Sequence, residues 1–412
     1  MMRILIVSQY FWPEGFRIND VVKSLVEKGI EVDVLTGKPN YPEGKIFSGY
    51  KFWGCSHESW CGTNIFRVPL LPRGKNSALQ LALNYVSFIL FGLICGPFLL
   101  RRRNYDVVFV YGLSPILLAI PGIFIAWLKG KKLILWVQDL WPESLSATGY
   151  IKSTFLLRCV ELVVRWIYRH ADLLLVQSRA FAKVVSALAP GKTVLYYPNS
   201  VDSSFARVPD FYHKQAEIEA LETGFPIIFA GNVGAAQSVE CIVEAASILQ
   251  DIPQIRFVIF GNGSKWSWLN DQVVERGLSN IYLAGRFPIE AMPVYLQKAE
   301  VLLVSLSDEP IFALTVPNKI QAYMASGRPI VASLNGEGAR LVVESGAGIS
   351  SPAEDPVALA KAILSLYQMT AEQRRQMGEN GKIYYRNHFD HEILVDQLIG
   401  HLDALVTKKG TL

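Results

Sequence analysis

The segment from Val301 to Ser333 constrains the fold of this 412-residue chain more than any other stretch. It begins with Val301–Leu306, a charge-free apolar run of strand length. A helical stretch follows and stops at Gly327, and the apolar run Ile330–Ala332 comes next. Strand, helix and strand in this order predict a βαβ unit of a parallel sheet.

Polar residues are concentrated in the loop of this unit. Asp308 and Glu309 fall just past the carboxyl end of the predicted strand, where ligands bind in open α/β sheets. Pro317 and Asn318 predict a helix start, because proline suits the first helical turn and asparagine can cap it. The unpaired amides of that turn and the Lys319 ammonium together indicate a site for a phosphate-bearing ligand.

Strand and helix signals alternate along both halves of the chain, and the pattern breaks in YYPNSVDSS after residue 195. We therefore predict an α/β fold with two Rossmann-like domains, residues 1–203 and 204–388, and a final helical segment, residues 389–412, that braces them. The predicted strands are Ile4–Val7, Val32–Leu35, Val107–Val110, Leu133–Val137, Ile227–Ala230, Phe257–Phe260, Ile281–Ala284, Val301–Leu306 and Ile330–Ala332.

The two halves differ in charge. The first 200 residues carry 23 Lys+Arg and 12 Asp+Glu, a balance of +11, and the remainder carries 17 and 24, a balance of −7. A basic half with long apolar runs suits an anionic membrane surface or a lipid-linked phosphate better than nucleic acid. The five cysteines form no CxxC pair, and the short apolar run near the N-terminus does not resemble a signal peptide, so we expect a cytoplasmic protein.

The stretch Ala78–Leu100 contains no charge and is followed by Arg101, Arg102 and Arg103. Its length satisfies a membrane span, yet a βαβ pattern resumes at Tyr105 and would place neighbouring strands on opposite sides of a bilayer. We favour a buried helix, with an interfacial helix as the main alternative. Peripheral attachment to the inner face of the cytoplasmic membrane is the resulting expectation.

In the second half of the chain, two neighbouring predicted strands are each followed by glycines. The next predicted strand is followed by an arginine and a phenylalanine. Each glycine turn alone is more often structural, but their recurrence at the carboxyl ends of neighbouring strands indicates one diphosphate site. The residues are Gly231, Asn232 and Gly234 in GNVG, Gly261 and Gly263 in GNG, and Arg286 and Phe287. The first strand lacks GxGxxG, which argues against a dinucleotide site there.

Five motifs, in order along the chain, resemble the family 4 glycosyltransferases of GT-B fold: SQYFWPEGFRIND, PNYPEGKIFSGYK, WVQDLWPES, GNVGAAQ and VPNKIQAYMASGRPIVAS. They are most similar to the bacterial O-antigen branch that includes the WbuB-type L-fucosaminyl transferases. The resemblance implies two Rossmann-like domains facing each other across a cleft, a nucleotide sugar held by the second, an acceptor held by the first, and retention at the anomeric carbon.

The resemblance also implies site residues. The glycine turns and Arg286–Phe287 correspond to nucleotide-facing positions, and Gly15 corresponds to a first-domain loop near the diphosphate. Two family features are missing. Asn232 and Gln237 replace the usual arginine and lysine, and Leu314 and Ala322 replace the usual pair of glutamates. We assign the phosphate to Lys319, and the donor hydroxyls to Asp308 or Glu309.

Asp139 and Glu143 follow a predicted strand of the first half, so one of them could position or deprotonate the acceptor hydroxyl. The structural alternative, in which Asp139 caps a turn and Trp141 fills core, carries equal weight. No Asp-x-Asp pair occurs, and His388 and His391 are interpreted as a surface pair on one helix face. We therefore expect transfer without a metal or cofactor.

Three function classes follow. The first is transfer of a sugar, by branch similarity N-acetyl-L-fucosamine, from a UDP-sugar to an undecaprenyl-diphosphate-linked saccharide in O-antigen assembly. The second is a sugar-nucleotide epimerase of similar shape, which would convert a donor without an acceptor. The third is a non-catalytic carbohydrate- or lipid-binding protein.

Overall fold

The computed structural model describes residues 1–74, 78–147, 153–201, 219–222 and 224–407. The chain forms two compact units. The first comprises Met1–Pro198 and the last helix from Leu394 onward, and the second comprises Asn199–Ile393. The predicted boundary between residues 203 and 204 lies outside the described residues.

The first unit is built on a sheet of the order β3-β4-β2-β1-β5-β6-β7-β8, in which neighbours are parallel except for the β3–β4 hairpin. Its central strands are buried along their length because helices cover the sheet. The strands are β1 Arg3–Val7, β2 Glu31–Thr36, β3 Ser56–Trp60, β4 Thr63–Arg67, β5 Val107–Gly112, β6 Lys132–Val137, β7 Leu173–Val176 and β8 Thr193–Tyr196. The helices are α1 Ile18–Glu27, α2 Ala78–Leu99, α3 Ile120–Lys129, α4 Glu143–Ala147, α5 Thr154–His170 and α6 Arg179–Leu188.

The second unit is built on a parallel sheet of the order β11-β10-β9-β12-β13-β14. The strands are β9 Phe225–Asn232, β10 Ile255–Asn262, β11 Ile281–Gly285, β12 Val301–Ser305, β13 Ile330–Ser333 and β14 Gly348–Ser351. The helices are α7 Glu219–Glu222, α8 Val239–Ile248, α9 Trp266–Glu275, α10 Met292–Gln297, α11 Pro310–Leu314, α12 Asn318–Ser326, α13 Glu337–Glu344, α14 Pro356–Gln368 and α15 Ala371–His388. All nine predicted strands are present, so the α/β fold class is confirmed.

Alternate side chains of β9 enter two different hydrophobic clusters, one on each face of the second sheet. Ile228 joins the cluster that contains Tyr323 and Met324 of α12. Ile227 and Phe229 join the cluster on the opposite face, formed with α8 and α14. Burial on both faces explains why these strands appear in the sequence as continuous apolar runs.

The final helix, α16 His391–Thr407, packs on the first unit. Leu394, Leu398 and Leu402 lie in the same hydrophobic cluster as strands β1 and β5. Tyr197 adds a hydrogen bond from its hydroxyl to the Leu394 carbonyl, 2.9 Å long. The C-terminal helix therefore completes the core of the N-terminal unit.

Helix α2 differs from the sequence-based expectation. It is long and apolar enough to cross a membrane by length and composition, but only 22% of its most apolar 18-residue window is buried. The favoured prediction of a buried core helix is therefore wrong. The residues that the helix turns inward include Asn84, Gly92 and Gly96, whereas Leu90 and Phe98 point outward.

Candidate functional site

The second sheet reverses its strand order between β9 and β12, with β10 and β11 on one side and β13 and β14 on the other. Strands β9 and β10 pair along eight residues each, from Phe225 to Asn232 in β9. Strands β9 and β12 pair only at Ile227 and Ile228. The strands separate beyond that point, so a crevice opens at their carboxyl ends, which is where open α/β sheets bind ligands.

Two side chains of α12 occupy this crevice. Tyr323 bridges the separated strands: its hydroxyl accepts a 2.9 Å hydrogen bond from the Ala230 amide and donates to the Leu303 carbonyl at 3.3 Å. Lys319 lies one helical turn earlier, and its Nζ is 3.8 Å from the centre of the Phe229 ring. Both side chains therefore approach the end of β9.

Lys319 is electrostatically unusual. Its Nζ atom is shielded from solvent and has no hydrogen-bond partner among the described residues. Burial of the ammonium lowers the pKa of Lys319 to about 7. The fold thus holds this ammonium against the Phe229 ring, with no acid paired to it among the described residues, which is costly unless a ligand completes the site.

Glycine is required at two positions beside this lysine. Gly231 has a φ of +140°, and a Cβ there would lie 2.5 Å from Lys319 Cε. Gly261 has a φ of +133°, and a Cβ there would lie 1.7 Å from the Gly231 carbonyl oxygen. The glycines therefore let the ends of β9 and β10 approach each other and let Lys319 lie against β9.

The loops after β9 and β10 pack closely. The Val233 amide donates to the Asn262 carbonyl at 3.0 Å. A Cβ at Gly263 would lie 2.7 Å from Asn232 Oδ1, and one at Gly234 would lie 2.6 Å from Asn232 Nδ2. The structure thus brings Asn232, Gly234 and Gly263 together with Gly231 and Lys319, as a single diphosphate site requires.

The loop after β12 reaches the same region through Ser307, whose amide donates to the Ala236 carbonyl at 3.0 Å. Asp308 is exposed, and its Oδ1 accepts a 2.8 Å hydrogen bond from Asn335 Nδ2. Glu309 precedes α11, and its side chain makes no capping hydrogen bond. Their assignment to donor hydroxyls stays a prediction.

The predicted helix start at Pro317 is correct within one residue, but the predicted capping is wrong. Helix α12 begins at Asn318 and Pro317 is its N-cap, without a side-chain capping bond. Asn318 Oδ1 instead accepts a 3.1 Å hydrogen bond from Asn199 Nδ2. Proline lacks the side-chain oxygen that a cap requires, so the first amides of α12 receive no cap from it.

Arg286 and Phe287 follow β11. Phe287 packs edge-on against Phe260 and Tyr295, with ring centres 5.4 and 4.9 Å apart. Arg286 is exposed. Part of the Phe287 ring therefore packs in the hydrophobic core, and its contact with the base of a nucleotide stays a prediction.

The loop after β1 in the first unit contains Gly15 and a buried acid that sequence reasoning missed. Glu14 is 1% exposed, and its carboxylate accepts hydrogen bonds from the amides of Asn40 and Tyr41, both at 2.7 Å, and of Phe11 at 3.3 Å. Burial raises the pKa of Glu14 to about 7, although these bonds oppose the shift. A Cβ at Gly15 would meet nothing within 4 Å, so this side of the loop is open.

Asp139 and Glu143 lie beyond β6, as predicted. The Ser144 hydroxyl donates to Asp139, and burial raises the pKa of this carboxyl above its ordinary value. Trp141 is 8% exposed and its Nε1 donates to Ser114 Oγ at 3.0 Å. These contacts agree with the structural interpretation of Asp139 and Trp141.

Glu143 differs from Asp139. Its Oε2 atom is shielded and has no hydrogen-bond partner in the part of the chain that the structure describes, and the same holds for the Tyr168 hydroxyl. Burial, followed by the charges of Glu143 and Asp139, raises the pKa of Tyr168. An acid and a hydroxyl thus lie near each other with unused hydrogen-bonding capacity.

Within the described ranges, no group of three or more His, Cys, Asp and Glu side chains could hold a metal ion. The predicted shared helix face of His388 and His391 is wrong, because His388 ends α15 and His391 begins α16. His391 Nδ1 lies 3.0 Å from Ser200 Oγ. Metal-independent transfer stays a prediction.

Two sequence families match the chain, one in each unit. Residues 15–199 match the glycosyl transferase 4-like domain, and residues 224–369 match the glycosyl transferases group 1. Together the matches span four fifths of the chain. The chain is therefore a glycosyltransferase, with a 4-like domain followed by a group 1 domain.

Two relatives of this glycosyltransferase are bacterial proteins. WcaI of Escherichia coli (strain K12), a proposed colanic acid biosynthesis glycosyl transferase, is 26% identical over 343 residues, which cover 79% of this chain and 82% of WcaI. WbjE of Pseudomonas aeruginosa, a proposed glycosyltransferase, is 29% identical over 279 residues, 64% of this chain and 66% of WbjE.

Solved structures show the same fold. Sucrose-phosphate synthase from Thermosynechococcus elongatus matches with a TM-score of 0.77 and 18% identity, covering 99% of this chain and all of that one. Anabaena HepE in complex with UDP matches with a TM-score of 0.69 and 13% identity, covering 98% and 100%. This glycosyltransferase therefore has the GT-B fold.

Proposed function

We propose that this glycosyltransferase transfers a sugar from a UDP-sugar to a polyprenyl-diphosphate-linked saccharide during assembly of a bacterial polysaccharide. The observation that carries the proposal is the Lys319 ammonium, shielded and without a hydrogen-bond partner in the described structure, beside Gly231 at the reversal point of the second sheet. A diphosphate is the ligand that this arrangement suits, because an anion would neutralise the ammonium and accept hydrogen bonds from nearby backbone amides.

The chemistry requires such a group. Cleavage of the bond between sugar and phosphate builds negative charge on the departing diphosphate, and a fixed cation stabilises that charge most effectively in a site with little water. Lys319 would perform this role in place of the arginine and lysine that Asn232 and Gln237 replace. The transfer would then proceed without a divalent metal and with retention at the anomeric carbon.

The acceptor would be bound by the first unit. Glu143 has an unpaired carboxylate oxygen, and Asp139 has a raised pKa, so either could hold or deprotonate an acceptor hydroxyl. Glu143 is the better candidate, because the Ser144 hydroxyl already engages Asp139. Asp308 or Glu309 would contact the hydroxyls of the donor sugar.

The proposed donor is UDP-N-acetyl-L-fucosamine and the proposed product a repeat unit of O-antigen type. Motif similarity to the O-antigen branch supports the choice of sugar, and WcaI, whose name refers to colanic acid, supports a role in bacterial polysaccharide assembly. A polyprenyl-linked acceptor resides in the membrane, so the enzyme would act at the inner face of the cytoplasmic membrane.

A panel assay tests the proposal. Purified enzyme is given each of several UDP-sugars, with and without a synthetic polyprenyl-diphosphate saccharide, and products are measured by mass spectrometry. We expect a sugar to be added to the acceptor without added metal and in the presence of a chelator. Conversion of the donor without acceptor would instead indicate an epimerase.

Two variants refine the assay. Lys319→Ala should lower kcat/KM by a factor of about 100 or more, since removing one fixed transition-state donor typically costs that much, whereas the exposed Lys361→Ala should match the wild type. Glu143→Gln should lose transfer and keep slow hydrolysis of the donor. Near-normal transfer by Lys319→Ala would refute the assigned phosphate site.

A further inference from the structure

Helix α2 leaves most of its large apolar side chains exposed or partly exposed, whereas a helix in the core of a soluble protein buries them. The buried residues of α2 are small or polar, namely Asn84, Ser87, Gly92 and Gly96, apart from one large apolar side chain, Phe88. Its outward face carries large apolar side chains that are 44–71% exposed. We call these six residues the α2 stripe: Leu79, Leu83, Val86, Leu90, Ile94 and Phe98.

The inward glycines explain how α2 packs. A Cβ at Gly92 would lie 2.8 Å from Pro121 of α3, and one at Gly96 would lie 3.2 Å from both Ile125 of α3 and Leu35 of β2. Small residues four apart allow two helices to approach closely, as they do in membranes. The fold therefore uses the inner face, and the α2 stripe contributes little to the core.

Aromatic residues flank the stripe. Trp53 is 65% exposed and stands edge-on against Phe91 of α2, with ring centres 5.5 Å apart. Trp127 is 73% exposed at the end of α3, and Lys129 beside it joins the ends of the two helices by donating to the Leu100 carbonyl at 2.9 Å. Exposed tryptophans beside an apolar surface are typical of the boundary between acyl chains and headgroups.

The sequence on either side of α2 carries charges of one sign. No acidic residue occurs between Glu58 and Asp106, whereas Arg101 and Arg102 follow the helix directly and are exposed. Such cations at the edge of an apolar surface attract anionic lipid headgroups. They fit a second copy of this chain less well, because that copy would bring the same cations and no acid from this stretch.

A polar anchor fixes the orientation of α2. Asn84 is fully buried; its Oδ1 accepts from Gln9 Nε2 at 2.5 Å, and its Nδ2 donates to the Leu71 carbonyl at 2.5 Å and to Asn40 Oδ1 at 3.3 Å. Asn40 in turn donates its amide to Glu14, the neighbour of Gly15. The helix is thus tied to the loops after β1 and β2, and it cannot cross a bilayer while it lies on the sheet.

We propose that α2 lies flat in the interface of an anionic bilayer. The α2 stripe enters the acyl boundary, Trp53 and Trp127 lie at headgroup level, and Arg101 and Arg102 contact anionic headgroups. Through Asn84 the helix also sets the height of the Gly15 loop above the membrane surface. This docking goes beyond the transfer reaction, and it does not depend on which sugar is moved.

Flotation with vesicles tests the docking. The full chain is mixed at low salt with phosphatidylcholine vesicles that contain either 30% phosphatidylglycerol or none, a composition chosen for the assay. We expect the wild type to float with the anionic vesicles and the Leu90→Glu/Ile94→Glu variant to bind at least tenfold more weakly. The control Ile248→Glu/Val357→Glu places the same charges on exposed apolar positions of the second unit and should float like the wild type.

Two further readouts make the result decisive. UDP binding by calorimetry should be equal in all these variants, so that a loss of docking is distinct from a failure of the proposed donor site. In the wild type, brominated lipids should quench tryptophan fluorescence, and Trp53→Phe/Trp127→Phe should lose most of that quenching. The proposal is overturned if the wild type does not float, if the control variant loses as much binding, or if the stripe variant only converts a dimer to a monomer.

Discussion

Each unit buries an ionisable side chain at the carboxyl end of its sheet, and the two are treated in opposite ways. Glu14 in the first unit receives three backbone amides. Lys319 in the second unit donates no hydrogen bond to any described group. Burial moves both pKa values to about 7, upward for Glu14 and downward for Lys319.

This difference in hydrogen bonding indicates a structural role for Glu14 and a ligand-binding role for Lys319. A buried charge that has its hydrogen bonds holds loops together, and Glu14 joins the loop after β1 to the loop after β2. A buried charge without partners lowers stability and persists where a ligand completes the site. Hydrogen-bond completeness, more than burial or pKa, is therefore the basis on which we propose Lys319 as the ligand-binding group.

The largest expected effect comes from Lys319→Met, which keeps the length of the side chain and removes its charge. UDP affinity should fall about a hundredfold, because a desolvated charge pair contributes ~2–5 kcal/mol. The free energy of unfolding at pH 6 should rise by ~1–3 kcal/mol, because an unpaired buried charge is removed. Calorimetry and denaturant unfolding measure the two quantities, and a variant that loses stability along with affinity would contradict this account.

Glu14→Ala should have the reverse effect on stability. The buried amides of Phe11 and Asn40 and the partly buried amide of Tyr41 would lose their acceptor. The free energy of unfolding should therefore fall by ~3 kcal/mol or more, since each unsatisfied group costs ~1–3 kcal/mol. Glu27→Ala is the matched control, because Glu27 is exposed and forms only a 4.0 Å ion pair with Lys23. Equal denaturation midpoints for the two variants would remove the distinction between Glu14 and Lys319.

The smallest expected effect is the pH dependence of two quantities that Lys319 influences, the free energy of unfolding and the affinity for UDP. Its folded pKa is about 7 and its ordinary value is 10.5, so the unfolded chain binds more protons between these values and stability should rise with pH from about 7 to 10.5. UDP affinity should fall by about tenfold in total as pH rises above about 7, since the charged form binds and a rise of one unit in the pKa of the bound form corresponds to that factor. In Lys319→Arg, which stays charged, the fall should disappear; an unchanged slope would assign the titration to another group.

The sequence predicted most of the sheets for a physical reason. Strands buried on both faces, such as Val107–Gly112 and Phe225–Asn232, carry uninterrupted apolar runs. Edge strands lack such runs. Ser56–Trp60 and Gly348–Ser351 are polar and partly exposed, so hydrophobic patterning did not predict them.

The site was less accessible to sequence reasoning. Gly231 and Gly263 were selected because they follow strands, and strand ends meet at one edge of a parallel sheet. Lys319 was selected because it follows a predicted helix start. Glu14 was missed because its partners are backbone amides 26 and 27 residues away, which no local pattern encodes. Its position between Pro13 and Gly15, in a loop directly after a strand, was the available signal.

The burial of α2 was mispredicted because composition does not reveal which face of a helix packs on the sheet. A charge-free stretch satisfies a core helix and an interfacial helix equally. The usable signal was the placement of Asn84, Gly92 and Gly96 at spacings of eight and four, which marks the packed face as the small and polar one.

The pKa of Lys319 in the presence and absence of UDP tests the central claim most directly. Nuclear magnetic resonance of lysine side chains, with the signal assigned by its loss in Lys319→Arg, follows the titration. The account predicts a pKa near 7 in the free protein and a rise of at least one unit when UDP is bound, because a diphosphate stabilises the charged form. A Lys319 signal that titrates identically with and without saturating UDP would contradict it.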